Sequence, residues 1–129
     1  MKQHIVNIGE KAYIIYPFNF IEGKKIETKL LKYAAPVISN LLKAEDEGVG
    51  ENKSVAAILD GIAATLDESN IDDFVQLQVD LLSKVMCNGG KVNIETEFQC
   101  EFDKALDLMK AVIDFNFKSV FQKLGIAVL

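Results

Sequence analysis

Ile5, Val6 and Ile8 open the chain, and Tyr13, Ile14, Ile15 and Tyr16 follow after Gly9-Glu10-Lys11. Two short β-rich runs around a glycine-containing turn predict a β-hairpin over about 3–18, stopped at Pro17. The alternation is imperfect, so either face qualifies as the buried one. A lone hairpin is marginal in water and needs a helix to lie against.

Near residue 21 the period lengthens to three and four. Ile26, Leu30, Ala34, Val37 and Leu41, with Leu31, Ile38 and Leu42 one step over, predict an amphipathic helix with a broad apolar stripe. Pro36 lies inside it and lacks an amide proton, so it should kink the helix or divide it. Residues 45–53 have no period and hold Gly48 and Gly50, which predicts a mobile acidic loop. Ser54 then stands as an N-cap before the clean face of Val55, Ile58, Leu59, Ile62 and Leu66. A further helix follows the break at Asp67-Glu68-Ser69-Asn70, with Ile71, Phe74, Val75, Leu82 and Val85 as its expected buried side. Leu77, Val79 and Leu81 lie off that stripe, so more than one side should be covered. Asn88-Gly89-Gly90 is a strong turn, and the residues flanking it form a candidate short hairpin.

The longest pattern comes last. Phe98, Phe102, Ala105, Leu106, Met109, Val112, Ile113, Val120, Phe121 and Leu124 predict a helix over about 97–124, capped by Asn93 or Thr96. Such a helix is ~40 Å long, against a diameter of ~36 Å for a compact chain of this size. It should therefore project, or break near its end. Leu108 and Phe115 occupy a second face and Phe117 adds to the apolar excess. Either neighbouring helices of the same chain cover that face, or it contacts a partner or a second copy. The expected fold is mostly α, an α+β arrangement. An N-terminal β-hairpin precedes a bundle of about four to five helices over about 21–124, ending in a long C-terminal helix. At 129 residues, 1–129 should be a single domain.

Charge narrows the function. Residues 1–43 carry seven Lys against three acids (+4), and residues 44–129 carry seven Lys against sixteen acids (−9), with no Arg anywhere. The overall field repels phosphate and bidentate arginine contacts to guanine are absent, which argues against nucleic-acid binding. No apolar run approaches the ~18 residues of a membrane span, and no signal-peptide pattern opens the chain. Two cysteines are too few for a disulfide scaffold, so a reducing cytosol with free thiols is expected.

Candidate chemistry is thin. His4 has no acidic neighbour in sequence, and neither Cys87 nor Cys100 has an adjacent base. Gly48-Val49-Gly50-Glu51-Asn52-Lys53 lacks the Gly-Lys-Ser/Thr ending of a phosphate loop, and Asp46 to Glu51 lacks calcium-loop spacing. The expectation is a protein without catalytic residues, metal or cofactor.

In order, four stretches resemble the tail assembly chaperones of long-tailed bacteriophages and related prophages. These are Gly9-Glu10-Lys11-Ala12-Tyr13-Ile14-Ile15-Tyr16-Pro17, then Gly23 to Lys32 with Pro36-Val37-Ile38, then Ile71-Asp72-Asp73-Phe74-Val75 through Asn88-Gly89-Gly90. The last and most distinctive is Asp114-Phe115-Asn116-Phe117-Lys118-Ser119-Val120-Phe121. The sequence departs from the family pattern in using Lys where Arg is frequent, and in placing Val120 before Phe121. The resemblance implies a non-enzymatic protein of the host cytoplasm, absent from the mature virion. It would bind the tape measure protein, with the tail tube protein as a further partner, and no nucleic acid or membrane; self-association is compatible with it. A tape measure protein is a long helical rod with apolar stripes, which helix-in-groove contacts would cover. Leu108, Phe115, Phe117, Phe121 and Leu124 are the expected contact residues. The alternative is a small acidic adaptor or inhibitor that binds one host or phage protein.

Overall fold

The structure, a computed structural model, describes residues 2–46 and 54–125. Strands β1 (His4–Ile8) and β2 (Lys11–Ile15) pair antiparallel, with Ile8 opposite Lys11. The loop between them is Gly9-Glu10, and Gly9 has φ +62°. A positive φ at the first loop residue suits the right-handed twist of a tight hairpin. Pairing places Val6, Ile8, Tyr13 and Ile15 on one face, where Ile8, Tyr13 and Ile15 are buried. That face is the inner one.

The Asn88-Gly89 turn also makes a hairpin, from β3 (Val85–Cys87) to β4 (Gly90–Lys91), with positive φ at both loop residues. It is not separate from the first. β3 pairs with β2 through Tyr13 opposite Cys87 and Ile15 opposite Val85, giving one antiparallel sheet ordered β1-β2-β3-β4.

Helix α1 (Phe20–Asp46) starts on Asn19, whose Oδ1 accepts from the Glu22 amide at 2.8 Å while its Nδ2 donates to the Glu22 carboxylate. This cap satisfies a backbone donor that the first turn leaves unpaired. Pro36 does not divide the helix. Both Pro36 and Lys32, whose carbonyl loses its partner, are exposed, so water can take the place of the missing bond. Ile26, Leu30, Ala34, Val37 and Ile38 form the buried side; the side chains of Leu41 and Leu42, expected with them, lie outside the described ones. Of the expected acidic loop over 45–53, Glu45 and Asp46 end α1; the rest lies outside the described residues.

Helix α2 (Val55–Thr65) is capped by Ser54, whose Oγ accepts from the Ala57 amide at 3.1 Å. It packs on α1 closely enough that a Cβ on Gly61 would lie 2.5 Å from Val37. Helix α3 (Ile71–Leu81) buries Phe74, Leu77 and Leu81. Of its expected inner side Phe74 and Leu82 are buried, as is Val85 in β3, but Ile71 and Val75 are exposed and Leu77 and Leu81 take their place.

The chain has the expected long final helix, but it starts later than residue 97. A short α4 (Ile94–Glu97) is followed by a turn with Cys100 at φ +62°, and then by α5 (Phe102–Lys123). The late start comes from Cys100, which takes up the left-handed conformation that a helix cannot carry. The break expected near the end is at Phe117, whose non-helical angles, φ −124° and ψ 16°, kink α5. Among its neighbours α5 counts β1, α2 and α3.

Candidate protein-binding surface

Helix α3 carries two apolar stripes. Phe74, Leu77 and Leu81 face the core; Val75, Val79 and Leu82 recur at helical spacing on another side. The first half of α5 repeats this with Phe102, Ala105, Leu106 and Met109. Where these second stripes face each other lies a groove of about 540 Å³. Buried Leu82, Phe98 and Met109 line its depth, and Ile94 of α4 contributes at one side. Phe102 is 80% exposed at its mouth. The polar lining consists of Gln78, Glu95 and Gln99 among the described residues.

The short α4 is held from beneath by the hairpin. Its cap Asn93 accepts through Oδ1 from the Glu95 amide at 3.2 Å. One carboxylate oxygen of Glu97 accepts from the buried Tyr13 hydroxyl at 2.7 Å and from the Lys11 ammonium at 2.8 Å. Burial, and then the hydrogen bond to Glu97, push the Tyr13 phenol above its ordinary value. The hydrogen bonds from Lys11 and then Tyr13 hold Glu97 below the usual carboxylate value. The Tyr13 ring lies 6.0 Å from that of Phe98, so the same contact seats Phe98 in the groove.

The residues expected at a contact surface are distributed differently. Leu108 is fully buried, Phe121 is 2% exposed and Phe117 is buried, all within the core. Phe115 is half-buried and stacks on His4 of β1 at 5.7 Å. Leu124 is exposed beyond the end of α5. The N-terminal segment supplies the cover that sequence spacing did not reveal. The Phe18 ring stacks on Phe117 at 6.2 Å, and its amide donates to Asn116 Oδ1 at 3.1 Å. Asn116 Nδ2 in turn donates to the Val112 carbonyl at 3.2 Å. The aromatic ending thus fastens the hairpin to α5.

Val75 and Val79 line the groove, as do Phe102 and Leu106 from the main stripe of the expected final helix, because spacing alone does not separate a groove wall from a core face. A second, smaller apolar patch lies on the first turns of α1, where exposed Phe20 and Ile21 stand among Lys24, Lys25 and Lys29. Cys87 is half-buried and Cys100 exposed, both as free thiols. No helix among the described residues is long and apolar enough to cross a membrane.

No curated protein and no solved structure matches the chain. Residues 9–127 match the model of the family described as phage tail assembly chaperone protein, TAC. That span takes in the hairpin turn, both walls of the groove and the aromatic ending, and the chain therefore belongs to the phage tail assembly chaperone family.

Proposed function

We propose that this chaperone binds the tape measure protein in the host cytoplasm, keeps it from aggregating while tube subunits assemble around it, and leaves before the virion is complete. Its role on this reading is contact, not catalysis. The observation that carries the reading is the α3–α5 groove, an apolar surface bounded by two helices and left open beside a closed core. Open apolar patches of this kind mark sites of protein contact. A groove between helices suits an apolar helical stripe, the surface a long helical client would offer.

We favour the groove over the carboxyl-terminal set because Leu108, Phe117 and Phe121 are already buried in the core, although Leu124 is exposed and Phe115 half-buried. Co-expression with the tape measure protein tests the proposal. The client should stay soluble and co-purify with the chaperone, and charging the groove wall by Val75→Glu should send it to the pellet. A client equally insoluble with and without the wild-type chaperone would refute the reading.

A further inference from the structure

We infer that the α3–α5 groove accepts a short amphipathic α-helix whose apolar ridge is flanked by Lys or Arg. This deepens the client-binding reading and rests on it. The 11 residues of α3 make a wall ~16 Å long, which matches about three turns of a bound helix. The apolar walls fix a ridge at helical spacing; the charges around them fix what lies beside that ridge.

Those charges are acidic. Glu95 is in the lining itself. On α3, Asp72 lies beside the Val75–Val79 stripe on its solvent side, and the helix has no basic residue. On α5, Asp103 flanks the wall, while Asp107 and Lys110 neutralise each other in an ion pair at 3.3 Å. A helix with acidic flanks would bury the same apolar area but meet like charges on both sides. One with basic flanks lays its stems along the rim and its charges against the carboxylates.

The probes are two synthetic helical peptides with an identical Leu ridge, one flanked by Lys and one by Glu, titrated into the full chain. At low salt the Lys-flanked peptide should bind about tenfold more tightly, since several exposed pairs each contribute at most a few-fold. High salt should shrink that advantage. Replacing both Asp72 and Asp103 by Lys should reverse the preference. Phe102→Asp should abolish binding of either peptide without unfolding the chain, because Phe102 is exposed and an acid suits the first turn of a helix.

Equal affinity for the two peptides at low salt would overturn the inference, as would binding that survives Phe102→Asp. So would a wild-type oligomer returned to monomer both by Phe102→Asp and by charge reversal at Lys24 and Lys25; that result would give the groove to the α1 patch of a second copy. The two levels separate cleanly. Lys-peptide binding with an insoluble tape measure protein keeps the groove inference and removes the client reading. A client held soluble by wild type and Phe102→Asp alike does the reverse.

Discussion

Phe102 and Phe121 stand on the same helix, yet one is 80% exposed and the other 2% exposed. Around each, apolar residues recur with the same spacing. The difference is what lies opposite. The second half of α5 meets the N-terminal segment, where His4 stacks on Phe115 and Phe18 on Phe117. The first half faces the second stripe of α3 across open space, which makes a groove in place of a contact. One helix therefore serves as core at one end and as surface at the other, and only long-range packing decides which.

The largest expected effect tests that contrast directly. Phe121→Ala should cost about 3–5 kcal/mol, the range for deleting a fully buried aromatic ring. Phe102→Ala should change stability by no more than about 0.5 kcal/mol, as at other exposed sites. Urea denaturation of the two variants measures both. Similar losses would mean that the two ends of the helix are not different in kind.

The cover over the second half can be loosened without touching a ring. Asn116→Leu removes the acceptor for the partly buried Phe18 amide and should cost about 1–2 kcal/mol. Hydrogen exchange should show β1 and β2 opening earlier, with protection in α3 unchanged. Uniform loss of protection throughout the chain would show that the hairpin and α5 are not joined locally at this point.

These two halves also mark what could be read from sequence. The first hairpin, the Ser54 cap and the apolar sides of α1 and α2 follow from local periodicity and turn chemistry, and the structure has them. The face of α3 did not follow, because a helix with two apolar stripes gives spacing no means of choosing the inner one. The pairing of β2 with β3 joins residues far apart in the chain, and three-residue strands carry almost no signal of their partner. The aromatic ending was legible as a motif but its role was not. Phe18 and Asn116 are 98 residues apart, so nothing in the spacing of the last helix could show that its rings already had a cover.

The boundary of the groove half is set by Cys100, a non-glycine residue at φ +62°. Left-handed geometry costs an L-residue roughly 1–2 kcal/mol. Glycine relieves that strain but loses more backbone freedom on folding, about 0.5–1 kcal/mol. Cys100→Gly should therefore stabilise by about 0.5 kcal/mol, seen as a small rise in the urea midpoint. A loss of stability would place the origin of the turn in the cysteine side chain.

The smallest effect at neutral pH concerns the clamp beneath the groove. Glu97 is held below its ordinary value of 4.5, first by the Lys11 ammonium and then by the Tyr13 hydroxyl. The folded state thus binds fewer protons than the unfolded chain between the two values. Its contribution is complete above about the ordinary value and is lost as pH falls through the folded one. Tyr13 acts in the opposite direction. Its value is raised above 10.0, chiefly by burial, so its contribution is complete below that pH and is lost as pH rises through the folded value. Glu97→Gln should flatten the acid limb of the stability profile, and Tyr13→Phe the alkaline limb. Because Glu97 seats α4, the acid loss should weaken peptide binding in the groove before the carboxyl-terminal half of α5 responds. If the Phe117 and Phe121 environment, followed by aromatic NMR shifts, changes at the same pH as the groove, the two halves unfold as one unit.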